Sequence, residues 1–189
     1  TKTLDCFGWL FFCNYLNFVD TAFLGHVGRV ELAAAMMAGL YYYVFSTLAW
    51  AFSVGLQIIV ARRFGEKNNA DIGDVFDHGI LVVLLLSLLL FLTLHCCTNF
   101  FLGQIISSPE IAAAARTFMR YRHYGIIFVC FNFLFRSLYI GLSNTRIITY
   151  TTLLMAVVNI FFDYFFIFGN LGFPQLGVGG AAIASVIAE

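Results

Sequence analysis

Charged residues are scarce in this chain of 189 residues. They make up 11% of it, and ten Lys and Arg balance ten Asp and Glu, 10 against 10, for a net charge of zero. Soluble domains carry roughly 25% charged and about 45–50% apolar residues, whereas apolar residues reach 61% here. A soluble domain of this size would still expose roughly 30% of its unfolded surface. The excess apolar surface must therefore face lipid, and the zero net charge excludes a basic surface for nucleic acid.

Proline and organised cysteine motifs are also lacking. The only prolines, Pro109 and Pro174, both fall between apolar stretches. The cysteines number five, an odd count, and their spacing matches no disulfide scaffold or zinc motif. Cys96 and Cys97 follow His95 directly, but adjacent residues point to different faces of a helix and do not share a metal. The sequence predicts no cofactor and no dedicated metal centre.

What the sequence does contain is a series of long apolar segments. About 20 apolar residues cross a bilayer as a helix, and this pattern predicts an all-α integral membrane protein built as a six-helix bundle. The predicted spans are 4–24, 32–61, 79–102, 124–142, 147–168 and 177–189. At about 1.5 Å per residue the last reaches only about 20 Å, so we expect it to be truncated. Residues 1–189 then form one transmembrane domain.

Two connections are longer than the others. Arg62 to Asp77 is rich in turn residues and is predicted to be a hydrophilic loop, whereas Ser107 to Arg122 predicts a serine-capped helix with Pro109 in its first turn. The dense cations at 62–67 favour the cytoplasmic side. This orientation predicts a multi-pass protein of the plasma membrane (the inner membrane of a bacterium) with its N-terminus in the cytoplasm. The loop cations predicted for the opposite side are Arg29, Arg116, Arg120 and Arg122.

Ionisable side chains inside a span are costly and are functional candidates by default. Arg136 lies near one end of the fourth span, where a long side chain reaches the interface by snorkelling. Asp20 and Asp163 are too short to do this. Each lies about 7–9 Å below the same end of its helix, and both helices run in the same direction. The two carboxylates are therefore predicted at nearly the same depth.

Two further oxygen-bearing side chains are predicted at a similar level. Asn159 lies one helical turn from Asp163 on the same face, and Ser185 lies about 12 Å below Gly177 on the partial sixth helix. Oxygen ligands suit hard cations such as Na⁺, and burial favours a carboxylate neutralised by a proton or an ion. The set is therefore predicted to hold Na⁺ or H⁺, with no other metal. The alternative is that each aspartate separately satisfies a polar contact between helices.

Several segments resemble, in order, the first six helices of the multidrug and toxic compound extrusion (MATE) transporters. The end of the first span reads VDTAFLGHVG over 19–28, with ELAA over 31–34 soon after. Further similar segments are GLQ at 55–57, ARRFGE at 61–66, GLSNTR at 141–146, NIFFD at 159–163 and GFPQLGVGGAAIAS at 172–185. The chain departs from the family pattern in lacking an early proline in the first span and the acidic residue of the 141–146 segment.

The resemblance implies the N-terminal lobe of a twelve-helix transporter, whose two six-helix bundles face a central cavity. Its partners are then the lipid bilayer, a small-molecule substrate and the C-terminal lobe of the same polypeptide. In the family, the residues matching Asp20, Asn159 and Asp163 belong to the cation or proton site, and a hydroxyl residue stands in the place of Ser185. The implied function is secondary antiport, in which small, cationic amphipathic molecules are exported in exchange for Na⁺ or H⁺.

Three other functions stay open at this point. A lipid-linked oligosaccharide flippase of the same superfamily usually lines its cavity with several cations, whereas Arg136 is the only base predicted deep in a span. A membrane-embedded protease with two aspartates is expected to place Gly beside each one, but Thr21 and Tyr164 follow here. A membrane protein with a purely structural role is the third. The sequence therefore favours a transporter over an enzyme.

Overall fold

The computed structural model describes residues 23–169 and 176–189, apart from the side chains of Asn69 and Phe168. Within these residues the chain is helical and contains no strand. A helical segment over 23–27 ends at Gly28 and precedes six helices. They are α1 (Arg29–Gly65), α2 (Asn69–Ile105), α3 (Pro109–Arg122), α4 (Gly125–Gly141), α5 (Thr145–Phe168) and α6 (Val178–Ala188). The predicted all-α class is confirmed.

The polar segment between α1 and α2 differs from its prediction. The expectation of a loop from Arg62 to Asp77 is wrong, because α1 continues to Gly65 and α2 begins at Asn69. Asn68 caps α2 by accepting a hydrogen bond from the backbone N–H of Asp71 at 3.4 Å. Polar side chains do not break a helix that extends into water, so the composition here marked the edge of the membrane and not the end of the helix.

Two arginine side chains pair with Glu66 at the end of α1. Arg62 donates to Glu66 at 3.0 Å and Arg63 donates to it at 3.1 Å. These hydrogen bonds from Arg62 and Arg63 hold the pKa of Glu66 below its ordinary value.

The start of α3 was predicted more closely than the end of α1. Ser108 is the N-cap residue of α3, and Pro109 is its first residue.

The helix lengths fit a bilayer. α1 and α2 have 37 residues each and reach about 55 Å, which exceeds a hydrocarbon core of about 30 Å, so their ends project beyond it. Within the described ranges, α1, α2 and α5 are each long and apolar enough to cross, and α3 with α4 forms a fourth candidate span bent by 55°. α6, with 11 residues, is too short to cross.

One face of α2 shows where the apolar excess lies. Leucines at helical spacing are half or more exposed: Leu81, Leu84, Leu85, Leu88, Leu89 and Leu92. Val83, Leu90 and Leu94 on the opposite face are buried, packed towards α1 and α4. A leucine stripe of this size facing outward is typical of a lipid-exposed helix. α1 packs against α2, α3 and α4, while α6 packs against α5 and α3.

Candidate ion-coupling site

The candidate site begins with a buried stripe along α5. Ala156, Asn159, Asp163 and Ile167 recur at helical spacing and are all buried. The two polar members, Asn159 and Asp163, occupy the middle of the stripe, and each is 1% exposed. They lie one turn apart on the same face. A carboxyl and an amide thus point together into the packed interior of the lobe, where an apolar stripe is the rule.

The close approach of α6 fixes the surroundings of this stripe. α5 ends at its C-cap residue Gly169, which is in the left-handed conformation with φ 71°. The backbone N–H of Leu176 donates to the Phe166 carbonyl oxygen at 3.0 Å. A Cβ placed on Gly180 would lie 2.4 Å from that same oxygen. Only glycine permits α6 to lie this close to the end of α5.

Ser185 lies farther along α6, at a depth similar to that of the polar pair. Gly180 is level with Phe166, and α6 returns antiparallel to α5, so Ser185 lies about 7–8 Å deeper. That depth falls between those of Asp163 and Asn159, at about 4–5 Å and about 10–11 Å from Phe166. Ser185 is half-buried, and its hydroxyl donates to the Ala181 carbonyl at 3.0 Å. The hydroxyl oxygen keeps a lone pair for a cation.

The Asn159 amide oxygen is a buried acceptor to which no residue in the described part of the chain donates a hydrogen bond. Buried polar atoms are nearly always satisfied, because an unsatisfied one costs about 1–3 kcal/mol. An acceptor held beside a buried carboxyl is the arrangement that a hard cation or a proton carrier requires. Asp20 lies outside the described residues, so its sharing of this site stays a prediction.

One buried ion pair in the described part of the chain was not predicted from the sequence. Arg122 forms an ion pair with Glu189, and its guanidinium carbon lies 4.3 Å from the centre of the Tyr42 ring. The two charged side chains are only 14% and 12% exposed. The placement of Arg122 among the loop cations is therefore wrong, because it lies inside the lobe at the bend between α3 and α4.

The signal that pairs Arg122 with Glu189 is present in the sequence. Arg122 lies about 20 Å from the start of α3, and Glu189 about 17 Å from the start of α6. Both helices start from the same side of the membrane, so the depth comparison that matched the two aspartates also matches these two residues. Opposite charges at one depth inside a membrane protein are expected to pair.

Removing one partner of this pair is expected to destabilise the protein strongly. In the complete transporter, Glu189→Gln removes the ion-pair partner of the buried Arg122 guanidinium, which costs about 3–5 kcal/mol. Thermal unfolding of the purified protein measures the loss. Glu66→Gln is the control, since its ion pair with Arg62 is exposed and its removal is expected to have no measurable effect. Equal unfolding temperatures for Glu189→Gln and wild type would contradict the assignment.

The chain is similar in sequence to a known family and to curated proteins. A family model described as MatE matches residues 7–165. A probable multidrug resistance protein NorM of Halalkalibacterium halodurans is 32% identical over 173 residues, which cover 91% of this chain and 38% of that relative. Its counterpart in Agrobacterium fabrum is 27% identical over 175 residues, covering 91% of this chain and 37% of that protein. The chain thus spans less than two-fifths of the relatives' length.

Solved structures share the fold. A structure described as the outward-facing conformation of a multidrug resistance MATE family transporter of the MOP superfamily has a TM-score of 0.90 at 22% identity. The aligned residues cover 98% of this chain and 40% of the transporter's chain. A MOP superfamily transporter from Pyrococcus furiosus matches with the same TM-score of 0.90 and identity of 22%. The names of these relatives and neighbours are those of resistance proteins and transporters, so the prediction that the chain is no enzyme is confirmed.

Proposed function

This chain belongs to the MatE family, and from that premise we propose that it forms the N-terminal lobe of a secondary antiporter. The complete protein exports small, cationic amphipathic molecules in exchange for Na⁺ or H⁺. It lies in the plasma membrane, with its N-terminus in the cytoplasm and a C-terminal lobe of the same polypeptide facing this one. The observation that carries the proposal is the pair of fully buried polar residues, Asn159 and Asp163, in the middle of the α5 stripe.

The coupling site consists of Asp163, Asn159 and Ser185, joined by Asp20 from the first span. A carboxylate at this depth is costly when it carries its charge, because lipid does not solvate it. Binding of Na⁺ or H⁺ neutralises it, and the amide and hydroxyl oxygens complete the coordination of a hard cation. The site therefore takes up the coupling ion when it is closed and releases it when water enters.

Alternating access turns this ion binding into export. With the cavity open outward, an external ion neutralises the site and removes the negative charge that holds a cationic substrate. Substrate leaves, and the first span repacks against the neutral site. Coupling requires that the ion bind the outward- and inward-open states with unequal affinity.

The flippase alternative gains no support from the interior charges. Arg122 is a second deep base, but it is paired with Glu189 and adds no net positive charge to the lobe. A cavity that attracts a lipid-linked phosphate needs unpaired cations facing it. The buried carboxyl of Asp163 gives the lobe the opposite preference, for cations.

Transport in membrane vesicles tests the proposal. Everted vesicles with the complete transporter are loaded under either a Na⁺ gradient or a pH gradient, and accumulation of a fluorescent organic cation is followed. One of the two gradients is expected to drive accumulation above that of vesicles without the protein. Accumulation that ignores both gradients, with the protein present and folded, would contradict ion-coupled antiport.

Asn159 offers a separate test of the ion ligands. Asn159→Leu keeps the side-chain volume but removes the amide oxygen, and loss of one ligand to a charge costs about 1.5–3 kcal/mol. The ion concentration for half-maximal transport is therefore expected to rise about tenfold or more. Asn132→Leu is the matched control, because Asn132 lies on α4 and its amide contacts Met155 at 3.4 Å instead. The same ion dependence in Asn159→Leu as in wild type would remove Asn159 from the site.

A further inference from the structure

A polar groove lies between α2 and α3, apart from the coupling site. Its volume is about 380 Å³. The polar side chains that line it include His95, Asn99, Arg116, Thr117, Arg120 and His123. No acidic residue is among the lining residues. A groove of this composition on a membrane protein presents hydrogen-bond donors and positive charge together.

The two arginines of the groove differ from the two at the end of α1. Arg62 and Arg63 pair with Glu66 at 3.0 Å and 3.1 Å. Arg116 and Arg120 are exposed, and neither forms an ion pair with any carboxylate in the described ranges. They lie one turn apart on the same face of α3, so their guanidinium groups reach the same space. Two guanidinium groups side by side concentrate positive charge, which attracts an anion.

The base of the groove is held in place by its histidines. His123 is buried, and its Nδ1 lies 2.7 Å from the Met119 carbonyl oxygen. Its Nε2 lies 3.3 Å from Nδ1 of His95. With the Nδ1–H of His123 donating to Met119, Nε2 accepts from the Nδ1–H of His95. The rings are fixed, and the groove wall does not depend on the neighbouring arginines for its shape.

The groove lies at the depth of the lipid headgroups. α2 exceeds the hydrocarbon core by about 25 Å, so each end projects by about 12 Å when it is centred. Asn99 lies about 9 Å and His95 about 15 Å from the end of α2 at Ile105. Arg116 lies about 10 Å from the start of α3 at Pro109. These residues therefore straddle the boundary between the acyl chains and the headgroups.

From this arrangement we propose that the groove binds a phosphate group, either the phosphodiester of an anionic lipid headgroup or free phosphate. Guanidinium groups match phosphate oxygens with paired hydrogen bonds. Arg116 and Arg120 supply the charge, while the Asn99 amide supplies a further donor at its edge. The ligand is thus an anion, opposite in charge to the exported substrate, and its site is distinct from the Asp163 site.

Binding to the complete, purified transporter in a neutral detergent tests this assignment by isothermal titration. The probes are dioctanoyl phosphatidylglycerol, inorganic phosphate, and dioctanoylglycerol, which lacks the phosphate. The variant Arg116→Gln/Arg120→Gln loses two charge-assisted contacts. Its affinity for the phosphate-bearing probe is expected to fall at least tenfold. Arg116→Lys/Arg120→Lys is expected to fall between this variant and wild type, because lysine keeps the charge and loses the paired geometry.

The control is Arg29→Gln, which removes an exposed arginine at the start of α1 on the same side of the membrane. It is expected to bind every probe as wild type does. Stronger binding of the lipid than of inorganic phosphate assigns the site to a headgroup, and equal binding assigns it to free phosphate. Unchanged affinity in Arg116→Gln/Arg120→Gln, an equal loss in Arg29→Gln, or an equal loss for dioctanoylglycerol overturns the proposal. Unfolding temperatures show that the exposed substitutions leave the fold intact.

Discussion

Replacing Asp163 by asparagine is expected to abolish ion-driven export of an organic cation by the complete transporter. The substitution keeps the size of the side chain but removes the group that exchanges a proton or a metal cation. Asp163 is 1% exposed and lies beside Asn159 on the buried stripe of α5. Water therefore cannot take over its role as a ligand or as a proton acceptor. Coupling free energies of about 1–3 kcal/mol correspond to about 5–150-fold effects, and we expect a loss at the upper end of this range.

The measurement is accumulation of a fluorescent organic cation in everted vesicles under the driving gradient. Asp77→Asn is the matched control, because Asp77 is exposed near the start of α2 and its charge is solvated. The control is expected to transport as wild type does. Full transport by Asp163→Asn, at equal protein in the membrane, would show that Asp163 is structural and that coupling lies elsewhere in the polypeptide.

Replacing Gly180 by alanine is expected to have the largest effect on the packing of the lobe. The added Cβ would lie 2.4 Å from the Phe166 carbonyl oxygen and 2.6 Å from its carbonyl carbon. Both atoms belong to the backbone, so no side chain can rotate away and α6 must move off α5. Overpacking of this kind costs about 1–3 kcal/mol, occasionally more. A lower unfolding temperature of the purified transporter measures the cost.

A glycine in open space provides the control for this change. A Cβ on Gly55, inside α1, meets nothing within 4 Å, and alanine is the better helix former there by about 1 kcal/mol. Gly55→Ala is therefore expected to be neutral or stabilising. Equal stability of Gly180→Ala and wild type would mean that α6 is not seated on α5 as described, and the depth match of Ser185 with Asp163 would lose its basis.

The sequence was sufficient for features that depend on one helix at a time. Composition and segment length predict the membrane helices, and the exposed leucines of α2 agree with this. Helical spacing alone places Asn159 and Asp163 on one face, and the structure shows that this face is buried. The start of α3 followed from Ser108 and Pro109, because the residue preferences at a helix start are local.

Features that depend on contacts between distant segments were not predicted. The Arg122–Glu189 pair joins residues 67 positions apart, and a sequence reading by loops had placed Arg122 outside the lobe. The groove of Arg116 and Arg120 against His95 and Asn99 likewise needs the packing of α3 on α2. The polar residues from 69 to 77 were assigned to a loop, because hydropathy reports the edge of the membrane and not the end of a helix.

The most direct test of a shared coupling site is the distance between the Asp20 and Asp163 carboxyl carbons in an experimental structure of the complete transporter. Two carboxyl groups that serve one ion must lie within about 6 Å of each other, or within reach of one bound cation. We expect the two carboxyl carbons to lie within this distance, with the Asn159 amide oxygen facing the same space. Carboxyl groups that lie on opposite sides of the bundle would contradict a shared coupling site. Their separation would then exceed about 12 Å, which is twice that range.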